Sequence, residues 1–351
     1  MAIYRIYPVK DAFISSEPTI AGSYPNTGKD EILEIGSYPD LNNVGRTNRA
    51  LLQFKSEDIS SAITTINGAS YSVNLKLYLA EAGEIPQTFN IFAHNVTGSW
   101  INGIGKRVDE PVNTSGVSWK YRGELENEWG TLGGDFDNDI IASQSFDLNS
   151  DYDINMDVKS LVDAQAPIGA KPNAGLLLKL SGSLENSTTS SINLRYFSSD
   201  TNTIFPPYLE FKWDDSSYDS GSLSLLSTDI ATISIKNAKE KYADSDTVRF
   251  RLSARPKYPT RSFVTSSIYL TEYRLPEASY WGIKDEFSEE MIVDFDTNYT
   301  KISADSNSSY FDVRMNSLQP ERYYRLLVKT TLDSSNIILD NKNIFKVTRN
   351  G

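Results

Sequence analysis

The amino-acid sequence predicts an all-β protein made of two domains. Three observations support this: apolar residues recur at every second position, turn-forming residues separate these segments, and helical periodicity is scarce. Tyrosine and phenylalanine, which favour strands, are abundant at 20 and 15 residues. A chain of 351 residues is long enough for two domains that each bury a core.

The period-two segments occur in both halves of the chain. Apolar residues alternate with polar residues or tyrosine over residues 73–79, 249–253 and 324–329. Such alternation places one face of a strand on a core and the other face in water or on a neighbour. Short helices are expected at only three places, which are residues 56–63, 158–164 and 237–242.

A polar segment rich in small residues marks the domain boundary. Residues 214–222 read Asp-Asp-Ser-Ser-Tyr-Asp-Ser-Gly-Ser, a composition typical of flexible linkers. The N-terminal domain, residues 1–213, is predicted to be a jelly-roll-like β-sandwich. The C-terminal domain, residues 223–351, has the size and strand spacing of an immunoglobulin-like β-sandwich, and we expect it to be the docking domain.

The net charge of −12 is concentrated in the first domain. Residues 1–213 contain 16 Lys and Arg against 26 Asp and Glu, whereas residues 214–351 contain 18 against 20. Phosphate binding needs a basic surface, so we expect no nucleic-acid partner. No apolar run approaches the roughly 20 residues of a membrane helix, so we expect no membrane insertion.

The composition and the first residues also indicate the compartment of synthesis. The chain contains no cysteine, which excludes disulfides and thiolate metal sites. Its first residues, Met-Ala-Ile-Tyr-Arg-Ile-Tyr, lack the basic segment and apolar core of a secretory signal peptide. Synthesis and folding in a cytoplasm are therefore expected.

The chain is predicted not to be an enzyme. His94 is the only histidine and lies in a predicted strand, so a Ser-His-Asp triad would have to be built around it. A zinc site would have only this histidine and carboxylates as ligands. The sequence has neither a Gly-x-Ser-x-Gly nucleophile elbow nor a Walker loop. We therefore interpret His94 as a surface or half-buried strand residue.

Acidic residues are dense between residues 124 and 157. Asp135, Asp137 and Asp139 are closely spaced there, and three interpretations remain open. The region is a solvated acidic loop, a calcium site in which these aspartates supply oxygen ligands, or the source of a general acid and base. The spacing does not match an EF-hand, because the glycine at the sixth loop position and the glutamate at the twelfth are both absent.

Aromatic residues cluster in one stretch of the first domain. Trp100, Trp119, Tyr121 and Trp129 fall within 30 residues of one another. Aromatic rings on a sandwich loop can stack on sugar rings or fill the pocket of a partner, so these four residues are a candidate ligand platform. The alternative interpretation is that they cover the core beneath a long loop.

The second domain contains a candidate protein interface of basic and aromatic residues. Its members are Arg255, Tyr258, Arg261, Trp281, Arg322 and Tyr324. Such a surface could pair with the acidic first domain of a neighbouring copy of the chain. It could equally consist of ordinary solvated strand faces.

A series of motifs runs through the first 213 residues. They are Asp11-Ala-Phe-Ile-Ser15, Leu33-Glu-Ile-Gly36, Arg49-Ala-Leu-Leu-Gln-Phe54, Trp100 with Gly103 and Gly105, Gly116-Val-Ser-Trp119, Asp157-Val-Lys-Ser-Leu-Val162, Gly175-Leu-Leu-Leu-Lys179 and Pro207-Tyr-Leu-Glu-Phe211. In order and spacing they resemble the DNRLRE-type domain, a β-sandwich of microbial extracellular and cell-surface proteins. The resemblance implies a jelly-roll-like sandwich and a link to polysaccharide binding or surface display, but it transfers no defined sugar site.

The second domain has motifs of its own. They include Asp246-Thr-Val-Arg-Phe-Arg-Leu252, Arg255-Pro-Lys-Tyr-Pro-Thr-Arg-Ser-Phe263, Leu275-Pro-Glu-Ala-Ser-Tyr-Trp281 and Gln319-Pro-Glu-Arg-Tyr-Tyr-Arg-Leu326. These stretches are similar to virion structural proteins of marine tailed phages, in which such a domain is attached to varied N-terminal modules. The resemblance implies an architectural role.

The expected function is that of a structural protein of a tailed-phage virion, in the tail, baseplate, neck or capsid surface, acting through protein–protein interfaces. Its expected partners are other virion proteins, in an oligomer or in multiple copies, and its expected location is the virion. The alternative is a carbohydrate-binding adhesin or receptor-binding module that recognises a host surface polysaccharide. Calcium is the only cofactor that the sequence suggests.

Overall fold

The fold is all-β, as the sequence predicts. A computed structural model describes residues 2–19, 22–83, 87–124, 127–148, 150–189, 191–214, 218–259 and 271–349. Strands account for 46% of the chain and helices for 7%. In these described ranges, no helix is both long enough and apolar enough to cross a membrane.

The chain divides into two compact units, named here the first and the second unit. The first unit comprises residues 6–67 and 72–211, and the second comprises residues 1–5, 68–71 and 212–351. The main boundary thus lies two residues before the predicted end of the first domain. The predicted linker is counted with the second unit, and its residues 215–217 lie outside the described ranges.

The first part of the chain supplies twelve strands and three short helices. The strands are β1 (Ala2–Ile6), β2 (Pro8–Ser15), β3 (Ile32–Pro39), β4 (Gly45–Phe54), β5 (Tyr71–Leu77), β6 (Leu79–Ala82), β7 (Phe89–Val96), β8 (Phe136–Phe146), β9 (Ile154–Asp157), β10 (Leu176–Leu180), β11 (Ile192–Phe197) and β12 (Tyr208–Trp213). The helices are α1 (Ser56–Ile66), α2 (Lys159–Ala164) and α3 (Gly182–Glu185). The first two of these helices confirm the predictions at residues 56–63 and 158–164.

One large antiparallel sheet organises the first unit. Its strands follow the order β6-β11-β3-β4-β10-β7-β8, and β2 pairs with β4 as an eighth strand. In a smaller sheet, β12, β5 and β9 are neighbours in that order. Val73, Leu75 and Leu77 on β5 are buried, as the alternation along this segment predicts.

A buried asparagine ties two loops of the first unit together. The side chain of Asn26 is fully buried, and its Nδ2 donates to the carbonyl oxygens of Asn102 at 2.7 Å and Val117 at 2.9 Å. Its Oδ1 accepts from the backbone N–H groups of Gly105 at 2.8 Å and Gly28 at 3.3 Å. The loop between β7 and β8 is therefore fastened to the turn that precedes β3.

Two glycines make room for this asparagine. Gly103 has a φ of +80° and Gly116 a φ of +122°, both in the range that favours glycine. A Cβ on Gly103 would lie 2.3 Å from Asn26 Oδ1, and a Cβ on Gly116 would lie 2.7 Å from Asn26 Nδ2. The glycines of the sequence motifs are thus explained by close backbone approach to the Asn26 amide.

The second unit contains the remaining strands. They are β13 (Ala231–Ile235), β14 (Lys241–Ala243), β15 (Thr247–Pro256), β16 (Ser279–Asp285), β17 (Met291–Val293), β18 (Ser303–Ala304), β19 (Ser309–Arg314), β20 (Tyr323–Leu332) and β21 (Ser335–Thr348). A short 3₁₀ helix covers Met315–Ser317. Four strands form a sheet in the order β13-β15-β19-β18, and five form a sheet in the order β14-β21-β20-β16-β17.

The helix predicted at residues 237–242 is wrong. Lys241–Ala243 form β14, which pairs in parallel with the end of β21. Tyr242 is buried there, with its ring edge-on to Phe250 and to Phe345 at centroid distances of 5.6 Å each. Burial of this aromatic ring in the core outweighs the local helical pattern.

Arg325 departs from the alternation predicted for residues 324–329. Although it lies between the buried residues Tyr324 and Leu326, its own side chain is only 7% exposed. Carboxylates of Glu286 at 2.8 Å, Glu289 at 2.8 Å and Asp340 at 3.0 Å surround the guanidinium. These three carboxylates shield the guanidinium from solvent. They also supply the compensating charge that a buried cation needs.

We expect the change Asn26→Ala to lower the free energy of unfolding by about 3 kcal/mol or more, since it removes four hydrogen bonds and leaves buried backbone groups unpaired. Chemical denaturation measures this quantity. Asn74→Ala is the matched control, because its exposed amide bonds to Asn155 at the protein surface. Equal losses in the two variants would contradict the role assigned to Asn26.

Candidate functional site

Polar side chains occupy one face of two neighbouring strands in the first unit. On β3, Glu34, Gly36 and Tyr38 alternate with residues that point to the opposite face. On β11, Asn193 pairs with Gly36 and Arg195 pairs with Glu34. Cross-strand partners share a face, so these residues lie side by side.

These strands and the loop between β7 and β8 enclose a groove of about 680 Å³, named here the polar groove. Its walls combine charged, amide, hydroxyl and apolar side chains. The lining residues are Glu17, Glu34, Tyr38, Pro39, Arg107, Val108, Ser191, Asn193 and Arg195. This volume lies in the range of pockets that hold small organic ligands.

Arg107 links three of the groove residues from the loop side. Its Nη1 donates to Glu34 at 2.9 Å, and its Nη2 donates to Glu17 at 2.6 Å and to the hydroxyl of Tyr38 at 3.2 Å. The guanidinium also lies 5.7 Å from the centre of the Phe13 ring. Charge-assisted hydrogen bonds of this kind hold the arginine in one geometry.

Arg195 completes a chain of alternating charges. Its Nε donates to Glu34 at 3.1 Å, and its Nη1 donates to Glu81 at 2.8 Å. Glu34 is therefore held between two guanidinium groups, those of Arg107 and Arg195, although its own side chain is only 7% exposed. A carboxylate this buried needs such partners.

Tyr38 is a neutral donor in this network. Its hydroxyl donates to Glu17 Oε2 at 2.8 Å. Burial raises the pKa of Tyr38, and the hydrogen bond to Glu17 acts in the same direction. The phenol therefore keeps its proton at physiological pH.

Gly36 brings two strands of this face close together. A Cβ at this position would lie 2.2 Å from the carbonyl oxygen of Ile192 on the neighbouring strand. No larger residue fits without moving the backbone, so the glycine permits the close approach of β3 and β11 between Glu34 and Tyr38.

Two asparagines beside Gly36 have side-chain oxygens without a partner. Gly36 pairs with Asn48 on β4 and with Asn193 on β11, so the three residues form a row across three strands. Asn48 Nδ2 donates to Glu34 at 2.8 Å. The Oδ1 atoms of Asn48 and Asn193 are buried and have no hydrogen-bond partner within the described residues. Buried acceptors normally receive a hydrogen bond, so each of these two oxygens can accept a hydrogen bond from a further donor.

Two members of the predicted aromatic platform belong to the core. Trp100 and Trp129 are buried in one cluster with Leu51 and Leu177. Their indole N–H groups donate to backbone oxygens, from Trp100 to Ala174 at 2.8 Å and from Trp129 to a neighbouring loop residue at 3.0 Å. Neither ring offers a face to a ligand, so the platform interpretation is wrong for these two residues, and the core interpretation applies.

The other two platform residues are partly buried. Trp119 packs against the same cluster, and the Arg49 guanidinium lies 5.1 Å from its ring centre. The backbone of Tyr121 forms an isolated β-bridge with that of Glu128, and the Lys120 ammonium lies 5.1 Å from the centre of the Tyr121 ring. Neither residue lines the polar groove.

The predicted calcium ligands are engaged by groups of the protein, Asp135 by a turn and Asp137 and Asp139 by a shared lysine. Asp135 accepts hydrogen bonds from the backbone N–H groups of Gly130 at 2.8 Å and Thr131 at 2.7 Å. Asp137 forms an ion pair with Lys171, whose Nζ lies 3.6 Å from the carboxylate of Asp139. Across the described ranges, no group of three or more acidic or histidine side chains is arranged to hold a metal ion.

Two residues of the predicted interface are also core residues. Trp281 is buried and stacks on Phe311, with ring centres 5.4 Å apart. Tyr324 is 1% exposed, and its hydroxyl donates to the carbonyl of Gln319 at 2.8 Å. Their burial in the second unit means that neither is available to a partner, which corrects the interface prediction for both.

The remaining interface residues have different positions. Tyr258 is 75% exposed, with the Lys257 ammonium 5.6 Å from its ring centre. Arg255 and Arg322 are partly buried. Arg261 lies outside the described residues.

Sequence reasoning did not identify the polar groove. Glu34 and Gly36 lie within the Leu33–Gly36 motif, but the motif alone does not show what faces it. Arg107 and Arg195 come from distant parts of the chain: the pairing of β11 with β3 brings Arg195 to Glu34, and docking of the loop between β7 and β8 brings Arg107 there. The available signal was a glycine inside an alternating strand, which often marks close approach of another group.

His94 lies in the interior of the first unit, 3% exposed, and not at the surface or half-buried as its strand position predicts. Its Nδ1 donates to the carbonyl of Asp137 at 3.0 Å, and its ring centre lies 4.8 Å from that of Phe136. Burial lowers the pKa of His94. The unfolded chain therefore takes up a proton at this residue more readily than the folded chain.

From this depressed pKa we expect stability to fall as the pH drops through about 6.5, the ordinary histidine pKa. His94→Asn keeps a donor near the Asp137 carbonyl and removes the titration. Thermal unfolding at about pH 7.5 and about pH 5.5 should show a larger loss of Tm in the native protein than in His94→Asn. Identical losses would contradict the assignment of this proton uptake to His94.

Comparison with known proteins finds little similarity. No family model and no curated protein matches the chain. Among solved structures, the binding domain of botulinum neurotoxin DC in complex with SialylT is similar at 9% identity and a TM-score of 0.18, covering 96% of this chain and 68% of that chain. The crystal structure of HCR/D-Sa-GBL1/C is similar at 10% identity, with the same TM-score and coverages. TM-scores this low do not establish a shared fold or function.

Proposed function

We propose that the chain is a non-catalytic carbohydrate-binding protein whose first unit holds a sugar residue in the polar groove. The observation that carries the proposal is the set of fixed polar groups that line the polar groove. Each sugar hydroxyl both donates and accepts hydrogen bonds, so it matches a site that presents donors and acceptors together. Arg195 and Ser191 offer donors there, while Glu34 and Asn193 offer acceptors.

The unpartnered oxygen of Asn193 supports this proposal most directly. It belongs to a residue that lines the polar groove, and a buried acceptor without a donor is costly. Rotation of the Asn193 side chain would turn this oxygen to the groove, where a ligand hydroxyl would supply the donor. Pro39 and Val108 add an apolar wall, and Val108 is 81% exposed, so it is free to contact the C–H face of a sugar ring.

Preorganisation favours binding over catalysis in this groove. Both carboxylates that line it, Glu17 and Glu34, accept hydrogen bonds from Arg107 at 2.6 and 2.9 Å. Held in this way, they position arginine donors for a ligand. The resemblance of the first domain to the DNRLRE-type domain, with its link to polysaccharides, agrees with this function.

We expect Arg195→Ala to weaken glycan binding by ~10-fold or more, since it removes donors from the centre of the polar groove. A glycan array followed by calorimetric titration of the full chain measures the change. Arg249→Ala is the matched control, because Arg249 forms a comparable surface ion pair with Asp312 in the second unit. Silence of the native protein on the array, or equal affinity of both variants, would overturn the proposal.

We also propose that the second unit joins the chain to a larger assembly, as a structural component of a tailed-phage particle. An exposed apolar group favours this role. Phe287 is 80% exposed and Tyr323 is 41% exposed, with ring centres 5.9 Å apart, and Ile344 on β21 is 39% exposed. Exposed aromatic clusters of this kind are typical of protein contacts. The two proposals are compatible, since one concerns each unit.

For this second role we expect mass spectrometry to find the chain in purified particles. Phe287→Ser should lower its incorporation ~10-fold or more, because it removes the most exposed ring of the patch. Leu148→Ser, at a residue 64% exposed in the first unit, is the control that should incorporate normally. Absence of the native chain from particles would exclude this role.

A further inference from the structure

We infer that the ligand of the polar groove is an uncharged glycan, not an acidic one, an inference that rests on the proposed function. The starting observation is that both arginines of the groove are already neutralised by the protein. Arg107 is shared by Glu17 and Glu34, and Arg195 is shared by Glu34 and Glu81, at distances from 2.6 to 3.1 Å. Three carboxylates thus compensate two guanidinium groups.

An anionic sugar would meet an unfavourable balance in this groove. A uronate or sulfate group that takes two parallel hydrogen bonds from Arg107 or Arg195 would have to displace a carboxylate from that guanidinium, because each guanidinium edge already contains a donor bound to Glu17, Glu34 or Glu81. For Glu34, whose side chain is 7% exposed, losing a partner is costly because a buried charge needs compensation. Arginines that recognise anions usually have guanidinium edges free for two parallel hydrogen bonds.

The charge of the whole first domain acts in the same direction. Residues 1–213 carry 16 basic against 26 acidic side chains, which gives a net charge of −10. Such a field lowers the local concentration of anions near the surface and slows their association. Acidic polysaccharides are therefore disfavoured both at long range and inside the groove.

Uncharged hydroxyl groups meet none of these costs. The buried Oδ1 of Asn193 requires a donor, which a hydroxyl supplies and a carboxylate or sulfate does not. The lone pairs of the groove carboxylates accept further hydrogen bonds from hydroxyls without giving up their arginine partners.

The test uses the full chain against two sets of polysaccharides. The neutral set is dextran, mannan, galactan and laminarin, and the acidic set is alginate, hyaluronan, chondroitin sulfate and heparin. Affinity is measured by biolayer interferometry from about 50 mM to about 500 mM NaCl. We expect binding within the neutral set, with affinity that changes by less than ~2-fold over this range, since no net charge is neutralised on binding.

The outcomes separate this inference from the proposed function. Binding confined to the acidic set, with affinity that falls steeply with salt, would overturn the inference and leave carbohydrate binding standing. An absence of binding to either set would overturn both.

A conservative variant provides an independent readout. Arg195→Gln removes the charge of this residue but retains amide donors, whereas Arg195→Ala removes both. For an uncharged ligand we expect the glutamine variant to lose less than ~3-fold in affinity and the alanine variant ~10-fold or more. Equal losses would show that the guanidinium charge itself is recognised, and would overturn the inference.

Discussion

The structure of the first unit depends on the buried amide of Asn26. This single side chain satisfies four backbone groups from two loops, and it does so in a fully buried position. The absence of a side chain at Gly103 and Gly116 allows the backbone to approach the Asn26 amide closely. The long loop before β8 is thereby held over the sheet, where Trp100 and Trp129 complete a core.

Arginine has a structural use in both units that differs from recognition of anions. In the first unit, two guanidinium groups connect carboxylates into a fixed network at the polar groove. In the second unit, three carboxylates surround the Arg325 guanidinium, and this side chain is buried on its face of the sheet. In both places the planar guanidinium donates hydrogen bonds to several carboxylates at once. It thereby holds these like charges together in a rigid polar surface.

The sequence was most informative where local pattern decides structure. Alternation identified β5 and β15, and helical signals located α1 and α2. The position of Trp100 could not be decided, because burial of a loop residue depends on loop docking and not on a local period. The polar groove was missed for a related reason: Glu34 and Arg195 become neighbours through strand pairing, and Arg107 reaches them through loop docking, neither of which a single sequence displays.

Arg107 lies only two positions after Gly105, whose backbone N–H is bound by Asn26. The hydrogen bonds of Asn26 therefore also fix the position of the Arg107 guanidinium relative to the neighbouring strands. The turn at residues 24–28 therefore affects both the stability of the fold and the position of Arg107 in the polar groove. A substitution in this turn would change the groove without altering any residue that lines it.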